Sequence, residues 1–375
     1  MKLLDRYIGL EMLFTTLFGV SVMTFVLVLG NLFKQLFDVM INHAVPLDII
    51  MSFVAYIIPF SLTYTIPWGF VTAVLLVLGK LSGENELIAL KSSGVSITRI
   101  CVPLFVIALA CVALCLWINL DVAPRAQTNA RNAAVRVATQ NPLALFEGDH
   151  VIDEFPGKKI YVEAKNGKEL KNLLVYDLNK ADSGVMQVLF ARKGELSSND
   201  QEVLLTIYNA TVEQHDPADS HNLSKIHEGI QVEKTVFPIS LEELIAKYQK
   251  LRVPSQLTPR ELLSTVKMMQ SMPQSPEIKS QISTLRTEFN KRFSLSLASF
   301  ALALIAVPLA ITAHRKETTV GFLFSIIVGF SYFFFIFFAT MAQDKPKLHP
   351  EILMWMPNVV FLTLGSVLFF RLSRQ

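Results

Sequence analysis

Residues 80–100 read KLSGENELIALKSSGVSITRI and lie between two long segments that contain no Asp, Glu, Lys or Arg. Ser82 can cap a short helix, acidic residues fall in its first turn, where the helix dipole favours anions, and Gly94 can take the left-handed conformation that often ends a helix. The stretch therefore predicts a helix over residues 82–94 with one apolar side. A plain connector needs no such helix, so the pattern indicates either a helix on the lipid surface or one that binds a groove of a cytoplasmic partner.

The rest of the chain is apolar in blocks of membrane-spanning length. It has 375 residues, 52% of them hydrophobic, which is too apolar for an ordinary soluble enzyme of this length. A bilayer core needs about 20 apolar residues per helix, and six segments without a charged residue meet that length. They are residues 12–33, 49–79, 100–120, 293–313, 318–343 and 352–370. The first segment is too long for the apolar region of a signal peptide, so it is predicted to be a retained span.

The basic residues of the short loops predict how these spans are oriented. With the N-terminus in the cytoplasm, nine basic residues lie in inner loops and tails and three lie in outer loops. The inner residues are Lys2, Arg6, Lys80, Lys91, Arg99, Arg315, Lys316, Arg371 and Arg374, and the outer ones are Lys34, Lys345 and Lys347. Because basic loops favour the cytoplasmic side, we expect both termini and residues 80–100 to be cytoplasmic. Residues 121–292 are then on the outer side.

Residues 121–292 are predicted to form an inserted outer domain that contains both helices and strands. An Ala-rich helical linker follows the third span. Runs of branched and aromatic residues between turn formers then predict strands between residues 150 and 240, arranged as an antiparallel sandwich or an open roll. These runs are residues 158–165, 170–179, 185–196, 202–214 and 229–239. A capping box that begins at Thr258 and a second start at Ser275 predict return helices over residues 258–292.

This organisation gives an α+β membrane protein in which residues 1–120 hold three spans, residues 121–292 the outer domain, and residues 293–375 three further spans. The outer domain has 22 basic and 22 acidic side chains. A neutral balance argues against nucleic-acid binding.

Several basic residues are expected at the outer membrane boundary, where positive charge runs against the usual bias. They are Lys34, Arg131, Arg136, Lys291 and Arg292. Such residues can bind the phosphates of an anionic lipid. The alternative is that they are solvated or extend along the membrane surface to reach water.

Aromatic residues are concentrated in the fifth span, in the sequence GFSYFFFIFF at residues 329–338. They are candidates for the lining of an acyl-chain cavity, and lipid-facing packing explains them equally well. The candidate cavity residues are Phe25 and Phe33 in the first span and Phe330, Phe334 and Phe337 in the fifth.

The sequence predicts no catalytic site, cofactor or metal. Residues 78–83, LGKLSG, come close to a phosphate-binding loop, but Val74 and Leu81 stand where that motif needs Gly and Ser or Thr. All three cysteines fall in the third span, where they are predicted to pack as small apolar residues. Glu11 could act in a proton relay only with a second acid or His in the spans, and the sequence has none. ATP hydrolysis would therefore require a partner protein.

Four stretches carry a resemblance to a known family. They are LLDRYIG at residues 3–9, LGKLSGENELIALKSSG at residues 78–94, VAPRAQ at residues 122–127, and EFNKRFSLSLASFALALIAVPLAI at residues 288–311. With six spans divided three and three by a strand-rich outer domain, the chain resembles the LptF/LptG permeases of the lipopolysaccharide exporter. The second and fourth stretches are the most specific.

The resemblance implies a multi-pass subunit of an ATP-driven exporter in the inner membrane of a Gram-negative bacterium, with a periplasmic jellyroll-like domain. The expected partners are a paralogous permease, a cytoplasmic ATPase dimer, periplasmic bridge proteins with jellyroll folds, and lipopolysaccharide. The first and fifth spans would face the paralogous permease, and Lys34 would meet lipid A phosphates, with Arg131 and Arg136 as secondary contacts. The residues of the helix that would couple to the ATPase are Glu84, Glu86, Leu87, Leu90, Lys91 and Gly94.

Three other functions fit parts of the sequence. A secondary transporter for a small solute would need functional polar residues deep in the spans. A membrane anchor with a protein-binding periplasmic domain would tolerate changes at Lys34 and in the coupling helix. An ATP-linked permease that extracts lipoproteins or transmits force usually has four spans per chain.

Overall fold

The computed structural model describes most of the chain as two compact units. It describes residues 2–42, 47–140, 149–152, 158–177, 186–198, 202–215, 227–240, 253–312 and 318–374. The membrane unit comprises residues 1–37, 46–130 and 253–375, and the sheet unit comprises residues 38–45 and 131–252. The membrane unit includes residues 121–130 and 253–292, where α-helix continues from the third span and leads into the fourth.

The membrane unit is built from helices of between four and 41 residues. They are α1 (Lys2–Asn42), α2 (Leu47–Gly83), α3 (Glu86–Ser92), α4 (Ile97–Trp117), α5 (Ala123–Gln140), α6 (Pro259–Gln270), α7 (Pro276–Thr312), α8 (Thr318–Met341), α9 (Pro350–Leu353) and α10 (Met356–Ser373). A π-helical turn, Ile118–Val122, joins α4 to α5. In the described residues, six helical segments are long and apolar enough to cross a membrane, each overlapping one predicted span. The predicted number of spans is confirmed.

Local signals start the return helices where the sequence predicted. The Glu261 carboxylate accepts a hydrogen bond from the Thr258 backbone N–H at 2.8 Å, and the Thr258 hydroxyl accepts one from the Glu261 N–H at 3.4 Å. This capping box begins α6 at Pro259. The next helix, α7, begins at Pro276 and continues without a break to Thr312.

The core of the membrane unit surrounds α7. The buried side of this helix is rich in small residues: Ser294, Ser296, Ala298, Ala301, Ala303 and Ala306. Small residues let membrane helices approach closely. The closest approach is to α10, where a Cβ added to Gly365 would lie 2.9 Å from the backbone nitrogen of Ile305. The fourth span is therefore the central helix, against which its neighbours pack.

The α1 helix is less buried than the other spans. Only 17% of its most apolar segment is buried, compared with 72% for α2. Ile8 and Met12 contact the core, and Gly19 lies against Gly69 of α2, with a Cβ on Gly69 only 2.7 Å from the nitrogen of Val20. Most other apolar side chains of α1 are exposed, so this helix presents a long apolar surface.

The sheet unit contains one six-stranded antiparallel sheet. Its strands are β1 (His150–Ile152), β2 (Lys158–Asn166), β3 (Glu169–Asp177), β4 (Met186–Ser198), β5 (Glu202–His215) and β6 (His227–Ser240). They lie in chain order, each paired with the next as a meander. All five predicted strand runs are confirmed, and β1 is an additional strand. The inserted antiparallel domain is therefore confirmed.

Two asparagines shift the alternation of side chains in this sheet. Asn172 and Asn209 have φ angles of 48° and 49°, and the strand pairing skips both. As a result Leu170 and Leu173, three positions apart, both point into the core. The pairing register is the same on both sides of each asparagine, so neither is a β-bulge, and a strict two-residue pattern does not predict this shift.

Candidate functional site

The loop between the second and third spans contains a helix that is shorter than predicted. The α2 helix continues to Gly83, and α3 begins only at Glu86, after Asn85 has taken a left-handed φ of 62°. Ser82 is not the N-cap that the sequence suggested, and its hydroxyl donates a hydrogen bond to the Ile311 carbonyl at 3.2 Å. The reason is that the apolar pattern of α2 extends through Leu81, which is buried. Glu84 therefore lies in the turn before the helix.

The predicted C-terminus of this helix is confirmed. Gly94 has a φ of 82°, its N–H donates to the Lys91 carbonyl at 2.9 Å, and the Val95 N–H donates to the Leu90 carbonyl at 3.1 Å. These two bonds form a Schellman motif, which needs a left-handed residue at Gly94. The direction of the chain after α3 is thus fixed by its backbone.

The apolar side of α3 packs against the chain's own membrane helices. Leu87 is 4% exposed and belongs to the membrane core, and Leu90 packs partly buried against the same core. Glu84, Ile88 and Lys91 are exposed, and Glu86 is half-buried. Leu87 and Leu90 therefore hold α3 in place, and the charged side of the loop is exposed.

Both flanks of α3 form ion pairs with α1. The Lys80 ammonium lies 3.0 Å from the Glu11 carboxylate, and the Arg99 guanidinium donates to the Asp5 carboxylate. The sequence analysis did not predict these pairs and treated Glu11 only as a possible proton relay. The sequence does contain a signal for these pairs: α1 has acidic residues, and α2 and α4 have basic residues, near the same predicted membrane surface.

At the opposite end of the membrane unit, Lys291 and Arg292 form a compact cluster with Glu288. Each cation lies 3.4 Å from a Glu288 oxygen, and the side chains of Glu288, Lys291 and Arg292 are 14%, 18% and 5% exposed. Arg292 also donates to the carbonyls of Pro254 and Ser255, at 3.2 and 3.0 Å. This burial argues against the predicted contact of Arg292 with a lipid phosphate.

A small polar cavity adjoins this cluster. Its volume is about 20 Å³, and Tyr64, Asn119 and Gln127 contribute to its lining. The Nη1 atom of Arg292 is buried and has no hydrogen-bond partner among the described residues. A space of this size holds about one water molecule and is too small for a phosphate group.

The other predicted phosphate ligands lie on two helices. Arg131 is half-buried on α5. The structure does not describe the side chains of Lys34 on α1 and Arg136 on α5. Their contact with a lipid stays a prediction.

The predicted acyl-chain residues form an open apolar surface. Phe330, Phe334 and Phe337 are 62%, 61% and 59% exposed on one side of α8, and Phe25 on α1 is 67% exposed. Phe25, Phe330, Phe334 and Phe337 therefore face a lipid or a second protein. The structure does not describe the side chain of Phe33.

The inward side of α8 carries a buried polar network that the sequence analysis missed. The Tyr332 hydroxyl lies 3.0 Å from Oδ1 of Asn358 and 3.2 Å from the Ser294 carbonyl. The Asn358 amide donates to the Ser294 carbonyl and hydroxyl at 3.0 and 2.8 Å. Hydrogen bonds of this kind join helices inside a membrane, so α7, α8 and α10 form one connected body.

Comparison with known proteins identifies the family. The family model described as "Lipopolysaccharide export system permease LptF/LptG" matches residues 6–371. The chain belongs to the LptF/LptG family. The lipopolysaccharide export permease protein LptF of Escherichia coli K12 is 19% identical over 341 residues, which cover 88% of this chain and 84% of that protein. LptF of Shigella flexneri matches with the same identity and coverage.

Membership of the LptF/LptG family makes this chain a permease of the lipopolysaccharide export system. LptF/LptG permeases are transmembrane subunits of an ABC transporter whose ATPase is LptB. The predicted family is confirmed, and so is the prediction that a partner subunit hydrolyses the ATP. The match favours the exporter over a secondary transporter, a membrane anchor or a lipoprotein-extracting permease.

Proposed function

We propose that this subunit uses ATP hydrolysis by an LptB dimer to extract lipopolysaccharide from the inner membrane and deliver it to a periplasmic bridge. A lipid with several acyl chains is held in the bilayer by about 0.8 kcal/mol per buried methylene, so its extraction needs an external energy source. The observation that carries the proposal is the packing of α3. This helix is fixed to the membrane core through Leu87 and has an exposed charged side. Glu84, Glu86, Lys91 and the helix end at Gly94 meet the ATPase.

In the proposed topology, both termini and α3 lie in the cytoplasm and the sheet lies in the periplasm. The distribution of basic residues in the short loops supports this orientation. It puts the exposed side of α3 in the compartment that contains ATP.

The exposed apolar sides of α1 and α8 face a paralogous permease subunit, with lipopolysaccharide entering between the two proteins. Phe25, Phe330, Phe334 and Phe337 contact acyl chains there. All four are at least 59% exposed, and exposed apolar surfaces of this extent mark membrane or protein contacts. Lys34 binds a lipid A phosphate, and Arg131 and Arg136 make secondary contacts.

The six-stranded sheet passes the lipid to bridge proteins with jellyroll folds. The last strand, β6, supports this role because it lies at one end of the order of the described strands, and the edge of a sheet is where a strand from another protein is added. Ile230 and Val236 on this strand are also 62% and 45% exposed.

The proposal is tested by purifying the chain together with its paralogous permease and LptB, as parent, Glu84→Lys and Glu202→Lys. Glu202 is also exposed but lies at the start of β5, so its reversal changes the net charge equally and leaves α3 intact. We expect the parent and Glu202→Lys to retain LptB and to hydrolyse ATP faster with lipopolysaccharide. Glu84→Lys should lower LptB binding roughly tenfold, which corresponds to 1.4 kcal/mol. A parent complex without LptB would contradict the proposed function.

A further inference from the structure

The two ion pairs at the flanks of α3 connect α1 to both ends of the coupling loop. Lys80 lies near the end of α2, three residues before Gly83, and Arg99 lies in the first turn of α4. Their partners, Glu11 and Asp5, are both on α1. The chain therefore enters and leaves the α3 region through residues that are ion-paired to the same helix.

The two acids contact α1's neighbours from different directions. Asp5 and Glu11 are six residues apart, which in an α-helix corresponds to about 9 Å along the axis and about 120° around it. Because the two contacts are separated both along the helix axis and around it, together they oppose sliding of α1 as well as its rotation.

These contacts matter more for α1 than they would for another span. Only 17% of its most apolar segment is buried. Its described contacts include Ile8 and Met12 with the core, Gly19 with Gly69, and a 2.8 Å hydrogen bond between Thr24 and Thr65. The Glu11 side chain is 23% exposed, and its Oε2 atom is buried without a hydrogen-bond partner among the described residues. Lys80 is therefore the main described group that compensates the charge of this carboxylate.

The α3 region is itself held by the central body of the membrane unit. Leu87 packs into the core, and Ser82 donates a hydrogen bond to the last turn of α7. A displacement of α3 by a cytoplasmic partner thus acts on the ends of α2 and α4, where Lys80 and Arg99 contact α1.

We propose that Asp5, Glu11, Lys80 and Arg99 are positioning residues that make α1 move with the coupling loop during each ATPase cycle. This inference rests on the proposed function. It assigns to the ion pairs the transfer of motion from the ATPase side of the chain to the apolar surface of α1.

The test uses charge reversal in the complex with the paralogous permease and LptB, reconstituted into proteoliposomes that contain lipopolysaccharide. The variants are Glu11→Lys, Lys80→Glu and the double variant, with Lys279→Glu as control. Lys279 is exposed on α7 and lies outside the sheet to which the proposed function assigns lipid transfer. ATP hydrolysis and lipopolysaccharide release are measured on the same sample, so that the number of lipids released per ATP is obtained.

We expect each single reversal to retain LptB and ATP hydrolysis but to release roughly fivefold less lipid per ATP, the lower range of typical coupling effects. The double variant, which restores opposite charges, should recover to within about twofold of the parent. Single variants that match the parent, or a double variant no better than either single one, would overturn the inference. Failure of the parent to release lipid overturns the proposed function instead, and this inference with it.

A second measurement does not depend on charge. Glu11→Cys and Lys80→Cys are combined and joined by a short thiol-reactive cross-linker. The unbridged variant lacks the ion pair and should show the same roughly fivefold loss; if α1 moves together with the coupling loop, the bridge should restore release per ATP to within about twofold of the parent. If the bridge abolishes release while ATP hydrolysis continues, α1 must separate from α2 and the inference is wrong.

Discussion

Replacing Tyr332 by Phe tests whether the polar network holds α7, α8 and α10 together as one body. The change removes one buried hydroxyl and keeps the ring, which packs edge-on against Phe361 at a centroid distance of 5.5 Å. Without the hydroxyl, Oδ1 of Asn358 loses its 3.0 Å partner. Hydrogen bonds between membrane helices contribute about 0.6 kcal/mol on average and at most about 1.7. Because Asn358 is 1% exposed and water cannot replace the hydroxyl, we expect a loss of about 1 to 2 kcal/mol in the free energy of unfolding.

The assay is unfolding of the purified chain in mixed micelles with increasing sodium dodecyl sulfate. Tyr332→Phe is compared with Thr363→Val, which removes a hydroxyl that is exposed and bonds only within its own helix. The control should change the free energy of unfolding by less than about 0.5 kcal/mol. In an Asn358→Leu background the cost of Tyr332→Phe should fall by about 1 kcal/mol, since its partner is already absent. A cost below about 0.3 kcal/mol, or one unchanged by Asn358→Leu, would refute the reasoning.

Two further substitutions have defined expectations. Gly94→Ala places a Cβ at a φ of 82°, which should destabilise the end of α3 by about 1 kcal/mol and weaken LptB binding in a pull-down assay. Gly79→Ala is its control because the added Cβ meets nothing within 4 Å and the φ is helical, and equal LptB binding by both variants would contradict the expectation. Arg292→Gln leaves Glu288 with only Lys291 and removes the bonds to Pro254 and Ser255, so we expect the free energy of unfolding to fall by about 3 kcal/mol. Lys279→Gln, an exposed change on the same helix, should be neutral, and equal stability of the two variants would show that the Arg292 cluster is not structural.

The sequence was sufficient for features that depend on neighbours along the chain. The six spans follow from uninterrupted apolar length, and the start of α6 follows from the capping box at Thr258. The left-handed conformation of Gly94 and the five long strands were also predictable, because caps, turns and two-residue alternation act over a few residues.

Features that depend on neighbours in space were not predictable in this way. The apolar side of α3 was visible in the sequence, but whether Leu87 packs on the chain itself or on a partner depends on how the membrane helices pack. Likewise Arg292 has a side chain that could bind a lipid phosphate at the surface. In the structure it is buried and donates hydrogen bonds to residues 254 and 255. Ser82 has a cap-forming side chain, yet α2 continues past it because Leu81 is held in the core.

The sequence by itself determined that this protein has six spans and an inserted domain of antiparallel strands, since span length and strand alternation are properties of the chain. Its permease function followed from the resemblance to the LptF/LptG family, which the family match confirms. The tertiary structure decided which charges meet: Asp5 with Arg99, Glu11 with Lys80, and Glu288 with both of its neighbouring cations. The physical reason is that ion pairs and hydrogen bonds act over about 3 to 4 Å. Groups 69 or 94 positions apart in the chain come within that distance only when the helices pack side by side.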